Sequence, residues 1–217
     1  MGGTRKAFLE LAGEPLLARA LRPFLDDPRV ESVAVALAAE DVARPPEWLR
    51  ALGPRVRLVE GGATRTQSVR RTLAALPADL DVIVVHDAAR PFVDPDVIGR
   101  CVERAAAGEG AVAGRPVVDT IKRVRPDGSV EATPERARLW QAETPQAFPA
   151  ATLRRAYADP AMEGTDDAAL VEAAGARVVM VASPPNPKIT HPEDVTLAEA
   201  LLRVRAKGDA AAEGARP

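Results

Sequence analysis

Four short runs rich in β-branched residues, Val33 to Leu37, Val56 to Val59, Val82 to Val85 and Val178 to Val181, are separated by stretches with a helical apolar period. Runs this short and this rich in β-branched residues read as strands buried on both faces. Between them Leu16, Leu17, Leu21 and Phe24 make one helical face, Val69, Leu73 and Leu76 a second, and Val97, Ile98, Cys101 and Val102 a third. Strand and helix in turn imply a mostly parallel sheet with helices on both sides. A chain of 217 residues is long enough to bury one such core, and one domain over residues 1–206 is expected. Aromatics are only 3% of the chain, so aliphatic side chains and alanine must fill that core.

Helix starts are marked where Thr64 precedes Gln67, and Thr190 precedes Glu193, by the three residues of a capping box. Asp94-Pro95 marks another, with proline just inside the helix. From about residue 117 to 143 the alternation breaks. Thr120 to Val124 and Ser129 to Ala132 flank Pro126-Asp127-Gly128, the signature of a projecting β-hairpin arm. An isolated hairpin is marginal in water, so such an arm is expected to rest on a second subunit. Residues 207–217 carry no periodicity and read as a disordered tail.

Acids and bases nearly balance at a formal net charge of −2, which argues against general nucleic-acid affinity but leaves room for a focused anion site. The single cysteine, Cys101, cannot pair within the chain, no stretch approaches a membrane span, and a cytoplasmic protein is expected. With two histidines, His86 and His191, zinc and thiol chemistry find no ligand or nucleophile pattern, and no Gly-x-Gly-x-x-Gly fingerprint supports a dehydrogenase.

The strongest local signal follows the strand Val82 to Val85. His86-Asp87-Ala88-Ala89-Arg90-Pro91 sets an acid and a base beyond the carboxyl end of a central strand, where open α/β sheets bind ligands. Asp87 can hold a ribose hydroxyl or a metal, and Arg90 can grip a phosphate; a local ion pair bracing the turn is the plain alternative. His86 reads as structural. Gly61-Gly62 leads into a helix containing Ser68, so free N–H groups and a hydroxyl can face a nucleotide, although such turns also occur without ligands. Lys6 and Lys188 can each neutralise charge growing on a phosphoryl group, though taken singly each reads first as a solvent-facing lysine. Lys188 is the better candidate because Pro184-Pro185-Asn186-Pro187 orders the backbone before it. Thr165-Asp166-Asp167 reads as an N-cap and helix-dipole complement, and Trp140 as packing.

Taken in order, these segments resemble the 2-C-methyl-D-erythritol 4-phosphate cytidylyltransferases, over almost the whole chain. The landmarks are Lys6-Ala7-Phe8-Leu9, Gly61-Gly62 with Arg65 and Ser68, Val85-His86-Asp87-Ala88-Ala89-Arg90-Pro91 and Asp119-Thr120-Ile121-Lys122. Arg136 with Leu139-Trp140, Thr144-Pro145-Gln146, Thr165-Asp166-Asp167 and Lys188-Ile189-Thr190 with Pro192-Glu193-Asp194 complete them. The resemblance implies a Rossmann-like three-layer αβα sandwich whose hairpin arm exchanges across a homodimer. It implies transfer of CMP from CTP to methylerythritol phosphate in the non-mevalonate route to isoprenoid precursors, with pyrophosphate released and a Mg2+ ion held mainly by the triphosphate. Lys6 and Lys188 would be catalytic, and Gly62, Ser68, Asp87 and Ala88 would bind CTP. Arg90, Thr120, Arg136, Thr144 and Thr165 would serve the acceptor, Thr120 and Arg136 from the neighbouring subunit.

This chain departs from the family pattern at its beginning, where the opening strand and an Ala-Ala-Gly-x-Gly-x-Arg loop would align before Met1-Gly2-Gly3. Without them the sheet is expected to lose a central strand, and CTP to lose the backbone donors that cradle its phosphates. Ala63 and Thr64 also stand where acidic residues often follow the glycine pair. Two other functions follow: a ribitol-5-phosphate cytidylyltransferase, and an inactive nucleotide-binding homologue.

Overall fold

The computed structural model describes the backbone of residues 8–213. A small antiparallel pair, β1 (Glu10–Leu11) and β2 (Glu14–Pro15), leads into α1 (Leu16–Leu25). Then come β3 (Val33–Leu37), the short helices α2 (Ala39–Ala43) and α3 (Glu47–Arg50), β4 (Val56–Glu60), α4 (Arg65–Ala75), β5 (Val82–Val85) and α5 (Pro95–Ala106). β6 (Gly110–Pro116) precedes a hairpin of β7 (Arg123–Val124) and β8 (Val130–Ala132), a 3-10 turn (Arg136–Arg138) and the long β9 (Trp140–Pro149). α6 (Ala150–Ala156), α7 (Asp167–Ala173), β10 (Val178–Ala182) and α8 (Pro192–Glu213) complete the order.

All four β-branched runs are strands, and the side chains of β5 show why it carries no polar alternation. Ile83 and Val85 pack with Phe148, Val112, Leu153, Leu170 and Val171 against α6 and α7. Val82 and Val84 point the other way, to Val97, Cys101 and Ala105 of α5. Both faces are therefore covered, and a polar residue on either would lose its water. Leu73 brings α4 to the α6–α7 layer, while Phe24 of α1 meets Ile98 of α5 on the opposite side. The result is the expected three-layer sandwich.

The main sheet has the strand order β10-β6-β9-β5, with β10 parallel to β6 and β9 antiparallel to both β6 and β5. β3 and β4 pair parallel as a separate two-stranded sheet. An apolar cavity of about 360 Å³ separates the two sheets, lined by Val33 and Val35 on one side and Val82 and Val84 on the other. Its polar end reaches Arg65, Ser68 and Asp87.

β6 and β9 are the strands that periodicity did not mark. The β6 sequence, Gly-Ala-Val-Ala-Gly-Arg-Pro, is poor in strand formers, but a Cβ on Gly114 would lie 2.5 Å from the Gln141 carbonyl oxygen of β9. The small residue there lets two backbones close up. In β9 the polar Glu143, Thr144 and Gln146 are all buried, an expense that only a hydrogen-bonded site would support.

Two expectations at the chain's end need correction. The Thr190–Glu193 capping box does not form: α8 begins at Pro192, and the Asp194 carboxylate accepts the N–H groups of Thr190 and His191 at 2.7 and 2.8 Å. An acid in the first turn reaches back over these free donors more directly than the shorter Thr190 hydroxyl. The same helix also continues through Glu213, so residues 207–213, expected as aperiodic tail, are helical. Alanine-rich sequence needs no apolar period to be helical. Elsewhere the caps match: the Thr64 hydroxyl accepts from Gln67 N–H at 3.1 Å, and Asp94 from Asp96 N–H at 2.9 Å. The second half of the Thr64 box is displaced by one residue, with Gln67 Oε1 accepting from Ala63 N–H.

Candidate active site

The carboxyl end of β5 carries Asp87, and three cations surround it. Lys188 Nζ lies 2.9 Å from Asp87 Oδ2, Arg65 Nε 3.4 Å from Oδ1, and Arg90 Nε 3.6 Å from Oδ2. Residues from position 65 to 188 thus converge on one cleft of about 150 Å³, which Thr165 and Asp166 also line. Burial alone would raise the Asp87 pKa, but the Lys188 ammonium, with Arg65 and Arg90, holds it below the usual carboxylate range. Asp87 stays charged at neutral pH, and although Glu143 and Asp166 line the same cleft, three cations converge on its Asp87 end, where an anionic ligand can meet them.

The loops that carry Arg90 and Lys188 are tied to each other. Arg90 Nη1 donates to the Asn186 carbonyl at 2.7 Å, tying the turn after β5 to the proline-rich segment before Lys188. Asn186 is itself buried, donating from Nδ2 to the Thr144 carbonyl and accepting from Phe92 N–H. One amide thereby fixes the separation of β9, the Arg90 turn and Lys188. Gln146 does the same for α7: its amide donates to the Glu143 carbonyl and to Asp166, and its oxygen accepts from Ala168 N–H.

His86 sits beneath the cleft, 5.1 Å from the Phe24 ring by centroids. Its Nε2 is 3.0 Å from the Arg90 carbonyl, which can only accept, so Nε2 carries the proton. Nδ1 then accepts from the Thr144 hydroxyl at 3.0 Å, and that oxygen accepts from Asp87 N–H at 3.1 Å. This directed chain works only with a neutral ring. Burial pushes the His86 pKa down to about 4, and the Arg90 carbonyl and Asp87 only partly offset it. An unfolded chain protonates histidine near 6.5, so between roughly pH 6.5 and 4 the unfolded state binds more protons. Stability should fall as pH drops through that window, by up to about 3 kcal/mol. Denaturation midpoints measured from pH 7 to 4 should decline more steeply for the parent than for His86→Gln; parallel acid limbs would show that the imidazole is not responsible.

Of the other residues singled out from the sequence, Gly62 occupies the turn between β4 and α4, and Ser68 lies in the first turn of α4. Gly62 N–H donates to Ser68 Oγ at 3.0 Å, and Ser68 donates to the Thr64 carbonyl at 2.9 Å. A Cβ on Gly62 would fall 2.3 Å from the Gln67 Cβ, so only glycine fits this turn. Ala88 packs partly buried beside Leu37 and Leu49. Thr165 is exposed at the cleft rim, and Thr144 is buried with its hydroxyl committed to His86 and Asp87. Thr120 and Arg136 do not line this cleft: both are exposed on the arm, and Arg136 Nη1 donates to the Val118 carbonyl at 2.6 Å. Lys6 lies outside the described residues.

Sequence reasoning missed the roles of Asn186, Glu143 and Asp167. Glu143 is buried on β9 with Arg115 Nε at 3.0 Å, and burial raises its pKa against the pull of Arg90 and Arg115. Asp167 follows the true cap, Asp166, whose carboxylate accepts from Ala169 N–H at 2.9 Å. Two adjacent acids where one suffices as a cap was the available signal.

The sequence model for 2-C-methyl-D-erythritol 4-phosphate cytidylyltransferase matches residues 1–204. The chain is 43% identical over 210 residues to the 2-C-methyl-D-erythritol 4-phosphate cytidylyltransferase of Acidobacterium capsulatum, covering 92% of this chain and 88% of that one. It is 45% identical over 214 residues to the enzyme of the same name from Symbiobacterium thermophilum, covering 95% and 88%. The crystal structure of the Thermus thermophilus protein of that name is 39% identical, covers 91% of this chain and 94% of its own, and superposes with a TM-score of 0.78.

Proposed function

Since the chain belongs to the 2-C-methyl-D-erythritol 4-phosphate cytidylyltransferase family, we propose that its reaction, transfer of CMP from CTP to 2-C-methyl-D-erythritol 4-phosphate, takes place where Asp87, Arg90 and Lys188 meet. The observation that carries this reading is the convergence of those three side chains at the end of β5. A phosphate oxygen of the acceptor attacks the α-phosphorus of CTP, the new O–P bond forms as the bond to the β-phosphate oxygen breaks, and pyrophosphate carries off the electron pair. No covalent enzyme intermediate is needed, so the protein's contribution is alignment and charge neutralisation. Lys188, half exposed at the mouth of the cleft, is the mobile cation for the charge that builds on the phosphoryl oxygens. Lys6 is its proposed counterpart. Arg90 and Thr165 face the acceptor phosphate, and Gly62, Ser68, Asp87 and Ala88 hold the nucleotide.

Among the described residues no three His, Cys, Asp or Glu side chains group as a metal cage. The chemistry of the proposed reaction suits a Mg2+ ion that would keep phosphate and water oxygens, with a carboxylate of the cleft such as Asp87 available to it. The ion would supply charge neutralisation along the triphosphate.

The arm supports a homodimer. It exposes Val118, Val124 and Val130, and it carries Thr120 and Arg136, which line no part of their own subunit's cleft. In a dimer those two residues reach the neighbouring site. No helix among the described residues is long and apolar enough to cross a membrane, and with one unpaired cysteine we place the protein in the cytoplasm.

Pyrophosphate release from CTP, measured with methylerythritol phosphate and with ribitol 5-phosphate as acceptors, tests the reading. Turnover is expected with the first; a clear preference for ribitol phosphate, or CTP binding without turnover, would replace it.

A further inference from the structure

We propose that Asp167 and Tyr157 are positioning residues for transfer: they clamp the Arg65 guanidinium so that it braces the Asp87 carboxylate without displacing Lys188 from it. This inference rests on the functional reading above. Arg65 Nη2 lies 2.6 Å from Asp167 Oδ2, and Tyr157 donates its hydroxyl to Asp167 Oδ1 at 2.5 Å. Asp167 has no exposed surface, yet Asp166 already caps α7, so helix capping does not account for a second acid there. A buried carboxylate is costly unless each oxygen is paired, and here each has its own partner.

The consequence is a single line of alternating charge from the core to the cleft. Tyr157 holds one oxygen of Asp167, Asp167 holds one edge of Arg65, Arg65 Nε meets Asp87 Oδ1, and Asp87 Oδ2 meets Lys188. The distances rank the contacts. Arg65 is tight on Asp167 at 2.6 Å and loose on Asp87 at 3.4 Å, which leaves Lys188, at 2.9 Å, as the closest partner of Asp87. Burial works against both the Arg65 and the Asp87 charge, yet both persist because the neighbours in this line are of opposite sign. The Tyr157 hydroxyl stays protonated, since burial and then the Asp167 charge raise its pKa, so it remains a donor at any working pH. If Asp167 were neutral, Arg65 would turn its full charge on Asp87 and compete with Lys188 for it. The cleft would be more cationic, but its groups would be out of line.

Asp167→Asn keeps the shape and removes the charge, and Tyr157→Phe removes one hydroxyl. Misplacing groups by about an ångström costs roughly a hundredfold in rate, so Asp167→Asn is expected to lower kcat by about ten- to a hundredfold without raising KM for CTP. Tyr157→Phe should show the same split with a smaller drop. The Arg65 Nη2–H signal, assigned by its loss in Arg65→Lys and followed by NMR, should be protected from exchange in the parent, where Asp167 holds it, and lose that protection in Asp167→Asn. A kcat that falls only with the folded fraction, an unchanged kcat in both variants, or an Arg65 signal indifferent to Asp167→Asn would each overturn the proposal. If the parent transfers CMP to no acceptor, the functional reading fails, and the NMR result alone still decides whether the clamp exists.

Discussion

Lys188→Ala is expected to lower kcat for cytidylyl transfer by about a hundred- to a thousandfold, the usual cost of deleting one preorganised group that faces developing charge. The same substitution should leave the thermal midpoint nearly unmoved. The Lys188 side chain is 44% exposed and its ion pair is partly solvated, so the pair contributes no more than about 1 kcal/mol to folding. Asp87, left behind, still has Arg65 and Arg90 within 3.6 Å and does not become an unpaired buried charge. The dissociation between rate and stability separates the two readings of a lone lysine: a solvent-facing Lys188 would leave both quantities alone, and a structural one would move both. Initial rates at saturating CTP and methylerythritol phosphate, with a melting curve on the same preparation, make the comparison, and an unaltered kcat removes Lys188 from the mechanism. Lys188→Arg should recover little, because a planar fork with fixed N–H directions cannot stand in for the compact, rotatable ammonium that Lys188 sets 2.9 Å from Asp87 Oδ2.

What the sequence disclosed about this fold depended on whether a residue's place is set by its own neighbourhood. The strands β3, β4, β5 and β10 were legible because each sets apolar side chains against a helical layer, most completely β5, whose two covered faces require a continuous run of Val and Ile. β6 and β9 were not. Glycine and alanine in β6 are there for close approach to Gln141 and Phe148, a requirement set by residues some thirty positions away in the chain. The polar buried stretch of β9 is a floor for the cleft, and hydrogen bonds to His86 and Asp166 and from Asn186 satisfy it rather than anything local. The same distinction holds in the site. The turn His86 to Arg90 announces itself by an acid and a base beyond a strand. Asp167 does not, because its partner Arg65 is 102 positions away and its adjacent twin, Asp166, supplies a sufficient local explanation. The Thr190–Glu193 spacing misled for the converse reason: a good local pattern was outcompeted by Asp194, one residue further on.

Mixing Arg136→Ala with Lys188→Ala is expected to regenerate activity that neither variant has alone. If each cleft draws Lys188 from its own subunit and Arg136 from its neighbour's arm, a mixed dimer holds one site with both substitutions and one with neither. Random exchange of equal amounts makes about half the dimers mixed, so about a quarter of the sites are intact, and activity should return to about a quarter of the parental rate. The arm's chemistry favours this arrangement. Val118 is 80% exposed and Val124 and Val130 are each 55% exposed, on a hairpin of two and three paired residues that has no apolar layer beneath it. Such a hairpin gains little from its own ladder and needs an external surface to be held in place. Arg136, pinned to the Val118 carbonyl at 2.6 Å, presents its charge away from the cleft of its own chain, where Arg65, Arg90 and Lys188 already crowd Asp87. An arm delivered from a second subunit is free to bring Arg136 to the site together with the anionic acceptor it binds. Mixed dimers demonstrated by mass spectrometry but lacking activity would put Arg136 in its own subunit's site or outside the reaction altogether.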